Sequence, residues 1–209
     1  PGPDQIVASS ALGLVPLAEG CGAESVDLGI LPDRGEVIAA NAGRAAADGM
    51  DVLVTIGGAS VGAHDLIRPA LAEAGMSLDF WRIAMRPGRP LIYGRLGRMA
   101  VLGLPGNPVS SLVCAILFLR PLIAALLGQR RADPREPATL AVDMPANGDH
   151  EDYLRARLER RPSALPRATP LPRQDSSMLS ALVEADCLLV RAARAQPAIA
   201  GTPCEIIRL

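Results

Sequence analysis

Residues 51–65 read DVLVTIGGASVGAHD, and their pattern decides the fold of the first half of the chain. Residues 51–56 form a short apolar run rich in β-branched side chains, which predicts a buried strand. Gly57 and Gly58 follow directly, and the next residues predict the start of a helix. Glycine lets the backbone approach a ligand closely, and a helix N-terminus attracts anions. This order predicts an α/β unit with an anion site at the end of the strand, an ordinary capped helix start being the alternative.

A second strand, glycine loop and helix start occur at residues 99–111, MAVLGLPGNPVSS. Asn107 is placed to cap the helix, Pro108 to occupy its first turn, and Ser110 to present a hydroxyl there. Two such loops at strand ends of one sheet suit a ligand with several anionic groups. The alternative is again an ordinary capped helix.

A run of arginines lies between the two loops. Residues 80–132 contain eight Arg and no Asp or Glu, and three of these, Arg82, Arg86 and Arg89, surround a Pro-Gly turn. A solvated surface normally mixes charges, so an unpaired cluster predicts an anion as its missing partner. Solvated arginines on edge strands are the alternative.

Composition excludes several classes of function. The net charge is −1 and aromatic residues make up 2%, which disfavours nucleic-acid binding, and nothing predicts membrane attachment. No residue is Lys, so Schiff-base chemistry and a P-loop lysine are excluded. The four Cys form no C-x-x-C pair and are expected to be buried thiols rather than a zinc site. The apolar run 112–127 is predicted to be a buried helix, and the protein is expected to be cytoplasmic with no membrane or nucleic-acid partner.

The chain divides by composition near Gly128, because 18 of the 20 Gly lie at or before it. Residues 1–128 alternate predicted helices and strands, which favours a three-layer α/β/α domain with a largely parallel sheet. The strands are expected at 25–30, 51–56, 78–86, 89–94 and 99–104. Residues 129–137 are charged and contain Pro, which is typical of a linker. Residues 138–209 contain short strand-like runs and predict a small β-barrel or sandwich domain.

These motifs resemble one known family. The segments TIGGASVGAHD, RIAMRPGRPL and GLPGNPVSS, in this order and spacing, are similar to those of the molybdopterin molybdenumtransferase family, which includes MoeA and the E-domain of gephyrin. The resemblance extends from about Gly2 to the end, with Tyr153-Leu154-Arg155 and Gln174-Asp175-Ser176-Ser177 matching elements of its C-terminal β-domain. It implies a molybdopterin-binding α/β domain, lacking its leading strand, followed by that β-domain.

The resemblance also implies an activity. The family takes adenylylated molybdopterin and molybdate, hydrolyses the adenylate with Mg²⁺, releases AMP and leaves molybdenum on the dithiolene. It works as a homodimer. Asp33 and Asp65 match the acidic residues that would act in catalysis and hold the Mg²⁺ at the pyrophosphate. The positions that match the family's ligand-binding residues are Gly57, Gly58, Ser60, Gly62, Arg82, Arg86, Arg89, Pro105, Gly106, Asn107, Ser110, Arg155, Ser176 and Ser177.

Some positions differ from the family pattern. The family usually has Lys where this chain has Arg82, Arg86 and Arg89, and commonly has Glu where Ala63 stands. It commonly has D-S-N where this chain has Ala-Ser-Ser at 8–10. Missing carboxylates weaken a metal-assisted mechanism, so a non-catalytic molybdopterin-binding or scaffold protein is a second hypothesis. Molybdopterin adenylyl transfer is a third, which the C-terminal β-domain disfavours.

Overall fold

The structure is a computed structural model that describes residues 9–58, 66–129 and 133–209. The chain divides into two compact units. The first is Pro1–Ile83 with Gly88–Gln129, and the second is Ala84–Pro87 with Arg130–Leu209. The short piece 84–87 groups with the second unit because its strand pairs there.

The first unit has five helices and four strands among its described residues. Its helices are α1 (Ser10–Gly20), α2 (Gly35–Ala47), α3 (Ile67–Glu73), α4 (Pro108–Cys114) and α5 (Arg120–Leu126). A π-helical turn, Ala115–Leu119, joins α4 to α5. Its strands are β1 (Val52–Ile56), β2 (Ser77–Phe80), β4 (Ile92–Leu96) and β5 (Met99–Leu104), while β3 (Met85–Arg86) belongs to the second unit.

The strands of the first unit form a sheet in the order β1-β5-β4-β2. Only β1 and β5 are parallel, and β4 runs antiparallel to both of its neighbours. The expectation of a largely parallel sheet is therefore wrong. The physical reason is that a short turn at Gly97 joins β4 to β5, and such a turn can connect only antiparallel strands.

Helices cover both faces of this sheet. All six residues of β5 are buried, which is the pattern of a central strand between two helical layers. On one face Val101 packs with Ala42 of α2 and Leu71 of α3 in one apolar cluster. On the other face α4 packs on β5, and α1 packs on α4 so closely that a Cβ at Gly13 would lie 2.9 Å from Leu112. The three-layer α/β/α architecture is confirmed.

Two expected strands differ in the structure. Residues 25–30 belong to no strand, Gly29 among them has φ +73°, and Val26 and Ile30 are exposed. The predicted strand 78–86 is two separate strands, because β2 ends at Phe80 and β3 pairs in the other unit. Between them the chain leaves the sheet, and the Ile83 N–H donates to the Arg89 carbonyl at 3.1 Å.

The second unit is a closed barrel. Its strands are β3, β6 (Arg135–Leu140), β7 (Glu151–Glu159), β8 (Arg167–Pro170), β9 (Cys187–Arg191) and β10 (Pro203–Arg208), with one short helix, α6 (Leu179–Val183). Strands pair in the order β7-β8-β6-β10-β9, and β9 pairs back to β7, which closes a ring of five. Strand β3 adds to β7 in parallel outside the ring.

Small and aliphatic side chains fill the barrel. Ala138, Ala156, Ala168, Leu189 and Ile206 are all fully buried in one cluster. A five-stranded barrel has a narrow interior, so alanines are needed where strands approach most closely. The prediction of a barrel-like C-terminal domain is confirmed. Strand β6 begins at Arg135, inside the stretch 129–137 that composition suggested as a linker.

The segment Pro108–Leu126 forms one continuous helical stretch that is long and apolar enough, by length and composition, to cross a membrane. Half of it is buried inside the protein, including Val109, Val113 and Leu119. A core helix has the same composition, and the predicted buried helix in this region corresponds to it.

Gly94 tests the β2–β4 pairing. A Cβ at Gly94 would lie 2.4 Å from the Ser77 carbonyl oxygen, a backbone atom that cannot move without breaking the pairing. We expect Gly94→Ala to lower the free energy of unfolding by about 1–3 kcal/mol. Gly43, in α2 with nothing within 4 Å of its Cβ position, is the control. Because alanine favours a helix, Gly43→Ala should raise stability by about 0.5–1 kcal/mol in the same denaturation experiment.

Candidate functional site

The two glycine loops lie side by side. Strands β1 and β5 are parallel and in register, with Ile56 opposite Leu104, so both loops leave the same edge of the sheet. The Gly57 N–H donates to the Leu104 carbonyl at 2.9 Å. A Cβ at Gly106 would lie 3.5 Å from the Gly57 Cα, so the two backbones nearly touch. Two stretches that the sequence presents separately therefore form one surface of the first unit.

Gly58 anchors the first loop to a helix. It has φ +61°, and a Cβ there would lie 2.6 Å from Cγ1 of Ile67, the first residue of α3. Both the left-handed backbone and the contact require glycine. The loop is thus held against the N-terminal end of α3 at this point.

The second loop leads directly into α4. Asn107 occupies the N-cap position and its carbonyl accepts the Ser111 N–H at 2.9 Å, although its side chain makes no capping bond. Pro108 occupies the first turn, as predicted. The Ser111 hydroxyl donates to the carbonyl of Pro105, and Ser110 is buried. Gly106 and Asn107 are the exposed part of this loop.

Of the two carboxylates expected to hold a metal ion, Asp33 and Asp65, the structure describes Asp33. Asp33 is exposed and lies in the loop before α2. The N-terminal Gly35 of that helix packs toward Ala70 of α3. Ser60, Gly62 and Asp65 fall in 59–65 and lie outside the described residues. Within the described ranges, no three His, Cys, Asp or Glu side chains cluster in a way that could hold a metal ion.

One arginine of the predicted cluster, Arg86, has a carboxylate partner. In the second unit Arg86 makes a two-bond ion pair with Asp152, with distances of 3.0 Å from Nε and 3.1 Å from Nη2. The interpretation that Arg86 lacks a partner is therefore wrong, because β3 pairs with β7 and sets Arg86 directly opposite Asp152. In the first unit, Arg82 stacks on Trp81 with its Cζ 4.1 Å from the ring centroid, and Arg89 is exposed.

Arg155 is a charged side chain that is buried in the second unit. It lies on β7 and is only 1% exposed. Its Nε has no hydrogen-bond partner among the described residues, and its Nη2 reaches the Asp175 carbonyl at 3.4 Å. Burial lowers the pKa of this guanidinium, and the nearby charge of Asp175 opposes the shift. Arginine stays protonated in proteins, so a positive charge is held inside this unit.

Gln174 ties Arg155 to the loop that follows β8. Its Oε1 accepts the Arg155 N–H at 3.0 Å, and its Nε2 donates to the Arg155 carbonyl at 2.9 Å and to the Leu171 carbonyl at 2.8 Å. The amide therefore pairs with the β7 backbone as a neighbouring strand would. The sequence motif includes Gln174, but only the structure reveals this contact.

Ser176 and Ser177 follow in the same loop, next to Asp175. The Asp175 Oδ1 accepts the Ser177 N–H at 2.8 Å and the Ser177 hydroxyl at 2.7 Å. These two bonds lower the pKa of Asp175 below its usual range. Arg155 and the QDSS segment, 20 residues apart in sequence, thus form one built cluster in the second unit.

Comparison with protein families matches both units. Residues 3–125 match the model described as "Probable molybdopterin binding domain". The first unit is thus, by class, a molybdopterin-binding α/β domain. Residues 137–209 match the model described as "MoeA C-terminal region (domain IV)".

Curated relatives of this chain are named molybdopterin molybdenumtransferase. A molybdopterin molybdenumtransferase of Haemophilus influenzae is 34% identical over 80% of this chain and 41% of its own length. One from Synechococcus elongatus is 32% identical over 97% of this chain and 49% of its own length. The chain therefore belongs to the molybdopterin molybdenumtransferase (MoeA) family, and it spans half or less of the length of these relatives.

Solved structures have the same fold. The molybdopterin biosynthesis MoeA protein from Pyrococcus horikosii superimposes with a TM-score of 0.80 at 25% identity, over 99% of this chain and 49% of that one. A molybdenum cofactor biosynthesis protein from Pyrococcus furiosus gives a TM-score of 0.76 at 21% identity, over 97% and 65%. The second likeness concerns the fold alone.

Gln174→Glu tests whether the amide holds the Arg155 cluster together. A carboxylate cannot donate to the Arg155 and Leu171 carbonyls, so each loses this bond and faces a negative charge, while the Arg155 carbonyl keeps the bond from the Leu171 N–H. We expect a loss of about 2 kcal/mol or more in the free energy of unfolding of the barrel. The exposed Gln196, changed to Glu, is the control and should have little effect. Equal denaturation midpoints for the two variants would contradict the role given to Gln174.

Proposed function

We propose that this chain binds adenylylated molybdopterin and molybdate, and that the whole protein transfers molybdenum to the dithiolene and releases AMP. The activity is proposed for the whole protein because the chain spans half or less of its curated relatives. The single observation that carries the proposal is Arg155, a buried cation with an unpartnered donor.

A buried charge is costly unless a partner compensates it. Arg155 makes no ion pair with any carboxylate of the described chain, and its Nε has no acceptor. An oxyanion beside it would supply both the negative charge and the missing acceptor. Molybdate is a tetrahedral dianion with four acceptor oxygens. Ser176 and Ser177 lie in the loop that contacts Arg155, and the Ser177 hydroxyl would turn from Asp175 to donate to the ion. This cluster is the proposed molybdate site.

The glycine loops are proposed to bind the phosphate of the pterin ligand. Gly57, Gly58 and Gly106 let backbone N–H groups come close to a phosphate, and the helices that follow add the positive ends of their dipoles. Pro105, Asn107 and Ser110 shape the second loop, and Ser60 and Gly62 complete the first in sequence. Because Ser110 is buried, its contribution would be to support the loop from inside.

Asp33 and Asp65 would hold a Mg²⁺ ion at the pyrophosphate. Each precedes a helix by two residues in sequence, α2 and α3, and these two helices pack on each other. Mg²⁺ commonly uses one or two carboxylates and takes its other ligands from phosphate oxygens and water. Of the two, Asp33 lies in the described part of the chain, and its exposed carboxylate is accessible to an arriving ion. The ion would supply positive charge where the phosphate bond is cleaved.

Arg82, Arg86 and Arg89 are proposed as further anion contacts. Arg86 already has a carboxylate partner, so an arriving oxyanion would compete with Asp152 for it. Arg86 is 58% exposed, which leaves part of its guanidinium accessible to an oxyanion, whereas Asp152 is only 14% exposed and would lose a close partner in a full exchange.

A non-catalytic binding protein is the second candidate. Ala63 and the residues at 8–10 favour it, since the family commonly has acidic or amide residues there. Both candidates share the binding residues and differ only in AMP release. We further propose a cytoplasmic homodimer, in agreement with the biosynthetic role of the relatives.

Arg155→Met tests the molybdate site. Methionine has similar volume and carries no charge, and an apolar side chain at a buried charged position is often tolerated. We expect molybdate affinity, measured by calorimetry, to fall at least about tenfold, or ~1.4 kcal/mol. Arg157→Met on the same strand is the control, because Arg157 is exposed and paired with Glu184. Unchanged affinity in Arg155→Met would refute the site.

Asp33→Asn separates the enzyme from the binding protein. Asp33 makes no hydrogen bond or ion pair with any described residue, so the change should leave the fold intact. In the intact protein we expect molybdate-dependent AMP release to drop about 100-fold, the scale of losing one electrostatic stabiliser. Binding of adenylylated molybdopterin should change less than about tenfold. Asp48→Asn, at the exposed end of α2, is the control. If the unsubstituted protein releases no AMP, the binding protein is the correct reading.

A further inference from the structure

Trp81 is the single tryptophan of the chain, and it lies just after β2. Its side chain is partly buried and packs against the apolar cluster of the first unit that includes Leu71 and Val101. This packing restricts the position of the indole, here called the Trp81 platform.

Two guanidinium groups gather on this platform. The Cζ of Arg68, from α3, lies 4.5 Å from the ring centroid, and that of Arg82 lies 4.1 Å from it. The two Cζ atoms are therefore within about 9 Å of each other. They come from different elements, so the fold itself brings the two positive charges together.

Neither guanidinium is neutralised by the described residues. Arg68 and Arg82 form no hydrogen bond or ion pair there, although Asp79 is close to Arg82 in sequence. Stacking on an indole uses the face of a guanidinium and leaves its in-plane N–H donors available for an oxyanion. Two like charges held this close repel each other, and an anion shared between them would remove that cost.

We propose that Arg68, Trp81 and Arg82 form a two-arginine site for a pyrophosphate group. Two arginines on one platform can each bind one phosphate of a diphosphate, whereas a single tetrahedral ion offers fewer acceptors over a shorter span. Arg82 already belongs to the proposed anion contacts, and Arg68 and Trp81 are the new members. The inference rests on the proposed function, because adenylylated molybdopterin carries a pyrophosphate link.

Trp81 makes the test direct, because all tryptophan emission comes from the site itself. Inorganic pyrophosphate, molybdate and sulfate are each titrated at constant ionic strength, and the emission and the heat of binding are recorded. We expect saturable binding of pyrophosphate that is at least tenfold tighter than that of sulfate or molybdate at this site. Arg68→Ala and Arg82→Ala should each weaken pyrophosphate binding at least tenfold by calorimetry.

Arg98→Ala is the matched control. Arg98 is exposed in the turn between β4 and β5 of the same unit and should leave pyrophosphate affinity within twofold of the original. Arg68→Lys should recover part of the affinity lost in Arg68→Ala, since it restores the charge without the planar fork.

Three results would overturn the inference. They are an emission unresponsive to pyrophosphate, an Arg68→Ala variant that binds it as tightly as the original, and equal losses in Arg98→Ala. The outcome is separable from that of the proposed function. If pyrophosphate does not bind at Trp81, loss of molybdate binding in Arg155→Met still supports the molybdate site. If Arg155→Met keeps its molybdate affinity, pyrophosphate binding at Trp81 still supports the two-arginine site.

Discussion

The parallel pairing of β1 and β5 is the contact on which the first unit depends. Ile56 and Leu104 end their strands side by side, and the Gly57 N–H closes the ladder on the Leu104 carbonyl. Parallel strands end at the same edge of a sheet, so the two loops that follow must meet. The first loop requires glycine at this edge because Gly57 has φ +82°, a backbone conformation that residues with a side chain rarely adopt. The loops, the helices after them and the arginines near α3 all take their position from this edge.

In the second unit, the contacts between β7 and the loop after β8 centre on the buried residue Arg155. A buried positive charge costs stability, and here the surroundings only partly satisfy it. The Gln174 amide hydrogen-bonds to the backbone of Arg155 on β7. Asp175 supplies a carbonyl acceptor and a nearby negative charge to the guanidinium. An incompletely satisfied buried polar group in an otherwise well-packed domain is typical of a binding site.

The sequence predicted local elements best where the pattern was strong. The predicted strand 99–104 matches β5 residue for residue, and the predicted strand 51–56 differs from β1 by one residue at its start. It failed at residues 25–30, because a short apolar run does not by itself distinguish a paired strand from an exposed loop. It also failed around Arg86, since pairing with β7 is a contact between residues 66 positions apart. Arg68 carried no motif signal, because its contact with Trp81, 13 positions away in sequence, exists only in the folded unit.

By itself, the sequence determined the order of elements, the two glycine loops, the division into an α/β part and a β part, and the family resemblance. These depend on local periodicity and on residue types with special backbone freedom, which are properties of short segments. Tertiary structure alone decided the mixed direction of the sheet, the closure of the barrel by β9 on β7, and the ion pair of Arg86. It also decided the unpartnered Nε of Arg155 and the gathering of two arginines on Trp81. The physical reason is that charge pairing, desolvation and stacking depend on distances between residues far apart in the chain, and only packing sets those distances.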